Sequence, residues 1–235
     1  MTLDELERQC PQLLECTRTM PADIRTRCRV RTHPAGSIIH QKDDVIDYFG
    51  IVARGENRVV NELMNGNIYA LESNKPPAFI GEVTILAGCE RASVTIEATT
   101  EVTAVYISRK DAERWLAEDL HILAIVSRQV AHKLYMRSYS SGTRLFYPPS
   151  YQLMEYLVGR GRAAGLDEPS YAGILVIPKT RQALQEELGI NVKTLNRTIA
   201  ALRDEGLIGV ERGKIVLTRE QYRRAIPWLE KARLG

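Results

Sequence analysis

The chain of 235 residues exceeds the usual size of a single domain, so two domains are the default expectation. At 44% hydrophobic and 26% charged it can bury a core without metal or disulfide staples, and no apolar run approaches the ~18–20 residues needed to span a bilayer. The start, "MTLDELERQC", is charged and lacks an apolar stretch, so no secretion signal is read there and a cytoplasmic location is expected.

The formal net charge of +3 is unevenly spread. Residues 174–235 carry 12 Lys/Arg against 7 Asp/Glu, whereas residues 1–173 carry 20 against 22. A basic C-terminal segment on a near-neutral body fits a polyanion partner, and on charge alone it equally fits a solvated basic face.

From about Cys28 to Ser108 the stretches "SIIH", "YFGIV", "NRVV", "NIYAL", "AFIGEV", "SVTIEA" and "VTAVYIS" are separated by turn-forming residues. Short strands at regular spacing predict a sandwich or barrel. Gly36, Gly55, Gly66 and Gly81 fit turns that need a positive φ or a close backbone approach. After Ser108 the period changes: Leu116, Leu120, Leu123, Ser127, Val130 and Leu134 alternate by four and three residues. That rhythm predicts a helix packed on a partner, which is either the core of the same chain or a second copy of the helix. Proline cannot sit inside a helix but suits its first turn, so Pro148-Pro149 places a hinge near Phe146–Pro149.

The last third reads as helical with one small β element. "YQLMEYLVGRGRAAG" is amphipathic and ends in glycine; "TRQALQEELGINVKTLNRTIAALRDEGLIGVERGKIVLT" gives a helix, a turn at Gly189, a second helix and two short strands around "ERGK". Helix, tight turn, helix and hairpin in that order outline a winged helix-turn-helix.

The "GEVTILAGCERASV" cassette at 81–94, followed at this distance by "ALQEELGINVKTLNRTIAALRDEGLI", resembles the CRP/FNR superfamily of bacterial transcription regulators over nearly the whole chain. The resemblance implies an α+β fold in three parts. N-terminal helices and a cyclic-nucleotide-binding-like β-roll, or jelly roll, would occupy 1–108, a central dimerisation helix and hinge 109–147, and a winged helix-turn-helix 148–235. It further implies a homodimer that senses a small effector in the roll and binds a two-fold symmetric site on double-stranded DNA. RNA polymerase is a further partner to expect, a membrane is not, and no catalysis is implied.

In such a family the cassette arginine pairs with the phosphate of a cyclic nucleotide and the glutamate accepts from its ribose. Gly81, Glu82 and Arg91 occupy the matching positions, and a planar cation and an acceptor carboxylate have the required chemistry. Two departures stand out. Relatives that bind cyclic nucleotides follow the arginine with Ser or Thr and then Ala, but this chain reads Arg91-Ala92-Ser93. Arg137, followed by Ser138, falls where a base-contacting threonine would sit; it would crowd an adenine and could instead meet a negative group. A Glu82–Arg91 ion pair that props the loop without any ligand is the plainer alternative. The effector is therefore open between a cyclic nucleotide, another anion and none.

At the DNA end the second helix of the motif should enter the major groove with its first turns toward base edges. Asn191 is expected to cap that helix, while Val192, Lys193, Asn196 and Arg197 lie in its first turns and Leu195, Ile199 and Leu202 face inward. Arg197 aligns with an arginine that family members use on a base or phosphate. Lys193 replaces a glutamate that in many relatives accepts from cytosine, so the half-site should differ at that base. Thr180, Arg181 and Lys214 are candidates for phosphate contacts or for solvated surface.

Cys10, Cys16, Cys28 and Cys89 do not match the tight N-terminal grouping of relatives that ligate an iron–sulfur cluster, and Cys28 reads as part of the first strand. Free thiols are the expected outcome, with a thiol redox switch left open. Histidines 33, 40, 121 and 132 lack metal-ligand spacing, and no catalytic or dinucleotide fingerprint occurs. The competing reading is a ligand-binding signalling module whose C-terminal part docks protein, which should ignore random DNA.

Overall fold

The computed structural model describes residues 1–62, 68–168, 170–171 and 173–234, apart from the side chains of 139–146 and 233–234. The turn expected at Gly66 lies outside the described residues. The chain divides into two compact units, Met1–Arg137 and Ser138–Gly235.

The first unit opens with three short helices, α1 (Leu3–Gln9), α2 (Leu14–Thr17) and α3 (Ala22–Arg27). Eight strands follow: β1 (Arg29–His33), β2 (Ile38–His40), β3 (Tyr48–Arg54), β4 (Asn57–Glu62), β5 (Ile68–Asn74), β6 (Ala78–Ile80), β7 (Thr95–Ala98) and β8 (Val102–Ser108), with a short helix α4 (Glu82–Leu86) between β6 and β7. They form two four-stranded sheets, ordered β1-β8-β3-β6 and β2-β7-β4-β5, with every pairing antiparallel. This is the expected roll.

Successive strand residues point to opposite faces, and both faces of the first sheet are covered. Val52, Ala78, Ile80 and Ala104 pack with Val59, Ile96 and Ala98 of the second sheet inside the roll. Phe49, Ile51, Phe79, Val105 and Ile107 instead pack with Leu6, Leu13 and Ile24 of the N-terminal segment and with Trp115, Ile122 and Val126. The central strand β3 therefore alternates between two cores, which explains why "YFGIVAR" is apolar almost throughout.

Two details depart from the sequence reading. Cys28 lies between α3 and β1 rather than in the strand. "AFIGEV" is strand only as far as Ile80, because Gly81 takes a left-handed conformation (φ 83°) and starts α4.

The helical stripe also divides. Leu116 belongs to α5 (Arg109–Glu118), Asp119 is extended, and a separate helix α6 runs from Leu120 to Phe146. Ile122 and Val126 of α6 are fully buried, and Gln129 donates to the Pro77 carbonyl at 2.9 Å. Leu120 and Leu134, on the stripe singled out by spacing, are 80% and 65% exposed. The face packed on the roll is thus the one through Ile122, Val126, Gln129 and Lys133, about a quarter-turn away from that stripe.

In the second unit α7 (Pro149–Ala163) starts with proline in its first turn. Strand β9 (Ile174–Ile177) precedes α8 (Arg181–Leu188), α9 (Val192–Asp204), β10 (Gly209–Glu211), β11 (Lys214–Thr218) and a final helix α10 (Arg219–Leu234). The sheet order is β10-β11-β9, so the expected hairpin gains a third strand that is too short and too close to loop residues to stand out in sequence. Leu153, Leu157, Leu184, Leu195, Leu202, Ile215 and Tyr222 form its core.

A Cβ added at Gly55 (φ 79°) would lie 2.0 Å from the Glu101 carbonyl oxygen, whereas one at Gly36 (φ 81°) would meet nothing within 4 Å. Gly36→Ala should therefore cost only left-handed backbone strain, about 1 kcal/mol, and Gly55→Ala more than about 3 kcal/mol. Urea denaturation of the two variants checks this; equal losses would contradict the close approach at Gly55.

Candidate functional site

A cavity of about 270 Å3 opens between the second sheet, the cassette and α6, all within the first unit. Its apolar walls include Val59, Phe79, Val94, Ile96 and Val130, with Val83 and Leu134 at its edge among the exposed residues. Its polar groups come from five places: His40 on β2, Glu72 and Asn74 on β5, Glu82 and Thr84 on α4, Ser93 just before β7, and Lys133 and Arg137 on α6.

Gly81 positions the cassette. Its left-handed turn leaves no room for a side chain, since a Cβ would lie 2.8 Å from the Tyr48 carbonyl oxygen, and it carries Glu82 inward to 4% exposure. Glu82 does not pair with Arg91. Its Oε1 accepts from Lys133 Nζ at 3.0 Å, and the same ammonium lies 2.8 Å from Glu72 Oε1. Arg91 is exposed and donates to the Asp43 carbonyl at 2.7 Å; it is not among the cavity-lining residues, and neither is the buried Ala92. Ser93 does line the cavity. Ser138 is exposed and begins the second unit.

The charges of the cavity follow from burial. Burial pushes the Glu82 carboxyl above the usual carboxylate range, with Lys133 only partly opposing. Burial also works against the Lys133 ammonium, but Glu82 and Glu72 more than offset it and hold its pKa above the ordinary lysine value. His40 is pushed down to about 4, mainly by burial and against the pull of Asp44, and its Nδ1 lies 2.7 Å from the Tyr48 hydroxyl. His40 is therefore neutral near pH 7, and the charged lining is Glu72, Glu82, Lys133 and Arg137. The sequence reading missed Lys133, Glu72 and His40. Lys133 could have been found from its place one turn before Arg137 on a helix; strand-borne Glu72 and His40 carried no signal.

The second unit presents the other group of expected residues. Asn191 caps α9, its Oδ1 accepting from the Thr194 amide at 2.9 Å, and Thr180 caps α8 in the same way through the Ala183 amide. Leu195, Ile199 and Leu202 are buried, while Lys193, Asn196 and Arg197 are exposed and Val192 is half-buried. Arg181 is half-buried, and burial lowers its pKa. Lys214, a candidate for a phosphate contact or for solvated surface, donates to the Pro178 and Lys179 carbonyls at 3.0 and 3.3 Å. Arg212, at the tip of the β10–β11 turn with φ 48°, is exposed and was not singled out from the sequence.

All four cysteines are free: Cys10 and Cys16 are buried, Cys28 is half-buried and Cys89 is exposed. Burial pushes the Cys16 thiol up to about 11. Among the described residues no group of three or more His, Cys, Asp or Glu side chains could hold a metal ion, and no helix is long and apolar enough to cross a membrane.

The first unit is a β-roll with a cavity under a long helix, and the second is a winged helix-turn-helix with a three-stranded sheet. Residues 30–119 match the cyclic nucleotide-binding domain family. The chain is 24% identical over 193 residues to the "cAMP-activated global transcriptional regulator CRP" of Salmonella typhimurium, covering 82% of this chain and 90% of that protein. It is 21% identical to the "Transcriptional activator protein FnrL" of Cereibacter sphaeroides over 77% of this chain and 73% of that one. The solved structure of the c-di-GMP responsive global regulator CLP of Xanthomonas campestris superposes with a TM-score of 0.69 at 17% identity, covering 82% of this chain and 95% of that chain. In sequence and in fold the chain is thus similar to transcription regulators of the CRP/FNR family, and residues 30–119 carry the match to the cyclic nucleotide-binding domain.

The Glu82 geometry has a consequence for pH. A carboxyl whose folded pKa is raised contributes stability below its unfolded value, near 4.5, that is lost as pH rises through the folded pKa. The unfolding free energy of the wild type minus that of Glu82→Gln should therefore fall from pH 4 toward neutrality. A flat or rising difference would contradict the buried carboxyl.

Proposed function

We propose that the protein is a homodimeric, sequence-specific DNA-binding transcription regulator without catalytic activity, whose roll cavity takes a small effector. The observation that carries this reading is α9. One face holds Leu195, Ile199 and Leu202 in the core, and the other presents Lys193, Asn196 and Arg197 just beyond a capped N-terminus. An exposed N-terminal turn with two cations and an amide is what a major groove accepts: guanidinium and ammonium for guanine O6 and N7, amide for adenine. Arg212 at the wing tip adds a phosphate contact that positions rather than specifies.

Dimerisation would use the α6 face left open by the roll. Leu120 and Leu134 repeat on the four-three spacing, and Tyr135 and Met136 are exposed beside them at 66% and 49%. Effector binding would then shift an equilibrium between arrangements of the DNA-binding domains through α6 and the hinge near Phe146–Pro149. RNA polymerase is the further partner this role calls for.

The test is selection of duplexes from a random pool by the full chain. A two-fold symmetric site is expected, with a half-site that differs from those of relatives carrying glutamate at the position of Lys193. Specific affinity should fall at least about a hundredfold in Lys193→Ala/Arg197→Ala with the dimer intact by ultracentrifugation, since each bidentate contact is worth about 1–3 kcal/mol. Log affinity should also fall linearly with log salt. No selected site, or an undiminished variant, would contradict the reading.

A further inference from the structure

The cavity resolves into an apolar body with a single charged end, and that end belongs to α6 rather than to the cassette arginine. Val59, Phe79, Val94, Ile96 and Val130 give the apolar wall, His40, Asn74, Thr84 and Ser93 add neutral polar groups to it, and the charges gather where Lys133 and Arg137 descend from the helix opposite Glu72 and Glu82. Arg91 takes no part, being turned out onto the Asp43 carbonyl. We propose that the effector is a small organic carboxylate with a compact apolar body, whose anionic head takes Lys133 from Glu72 and Glu82, and that Arg91 makes no contact with it. The proposal rests on the reading of the cavity as the effector site of a regulator.

The sign of the ligand charge follows from what each alternative strands. A cationic ligand would have to draw Glu72 and Glu82 away from Lys133, leaving an ammonium whose side chain is only 20% exposed without its acceptors and adding a third positive charge beside Arg137. An anion leaves Lys133 paired and releases carboxylates instead. Glu72 is 23% exposed and can turn toward water, while Glu82, at 6%, sits where burial already favours its neutral form. A neutral ligand could hydrogen-bond to these groups but would not replace either carboxylate as the counter-charge of Lys133. Because Lys133 lies one turn beyond Gln129, which holds α6 to the Pro77 carbonyl, the exchange of Glu72 and Glu82 for a ligand head changes how this stretch of the helix is tethered to the roll.

The test is calorimetric titration of the full-length protein with benzoate, phenylacetate, 4-phenylbutyrate and octanoate, alongside their amides, the amines of the same carbon skeletons, cyclic AMP and cyclic GMP. At least one carboxylate should bind, with its amide and amine at least tenfold weaker. Arg91→Ala should bind that carboxylate as the wild type does. Glu82→Gln/Lys133→Met, which removes both charges so that neither is stranded, should lose at least tenfold; Arg137→Gln supplies the same comparison if the double variant does not fold. Binding of none of the carboxylates, equal binding of the amide, or cyclic-nucleotide binding abolished by Arg91→Ala would each overturn the proposal. Duplex selection without ligand separates the two readings. A chain that binds the carboxylate yet selects no DNA site keeps this effector class and loses the regulator, and the reverse result does the opposite.

Discussion

The Lys133 ammonium held between Glu72 and Glu82 is the constraint around which the sensor unit is arranged. It joins three elements far apart in sequence: β5 of the second sheet, the cassette helix α4 and the long helix α6. A carboxylate as buried as Glu82 is costly unless it is paired, and among the described residues the cation that pairs with it, Lys133, comes from a helix that must then lie over the roll. Ile122, Val126 and Gln129 complete that contact with apolar packing and one hydrogen bond. The cavity is the space left between these fixed points. Its mouth is charged because the tether is charged, and its body is apolar because it is an extension of the roll's interior core.

The same tether decides which side of α6 is left open. With the Ile122–Val126–Gln129–Lys133 face committed to the roll, the neighbouring stripe through Leu120 and Leu134 remains exposed. An apolar stripe at coiled-coil spacing on a helix whose other face is already satisfied is what a second copy of the helix could cover. In the second unit a comparable division of labour exists within a single helix: the buried side of α9 holds it to α7, α8 and the small sheet, and capping by Asn191 leaves the side chains of Lys193, Asn196 and Arg197 exposed.

The roll and the winged helix were legible in sequence because their signals are local. Turn glycines punctuate short alternating strands, and α8, Gly189, α9 and the hairpin follow one another without interruption. The spacing along residues 116–134 predicts one continuous helix, but Asp119 breaks it with no glycine or proline to announce the break, and the face packed on the roll is the one through Ile122 and Val126. The cassette is where local reading ran out. Glu82 and Arg91 each have suitable chemistry, but nothing in their spacing reveals that one turns inward to Lys133 and the other outward to Asp43; that depends on the approach of α6 and on the loop at residues 43–46. The bonds that Thr180 and Lys214 make within the fold, as a cap and as a donor to carbonyls of the β9–α8 loop, were not legible in the sequence either.

A double-mutant cycle on Glu82→Gln and Lys133→Met, read as unfolding free energy at neutral pH, tests the central claim most directly. The account expects the two changes to be coupled by at least about 0.5 kcal/mol, with the double variant losing less than the sum of the single ones. Additivity within about 0.3 kcal/mol would mean that the two groups do not interact, and the cavity, the tether and the effector class built on them would have to be abandoned together.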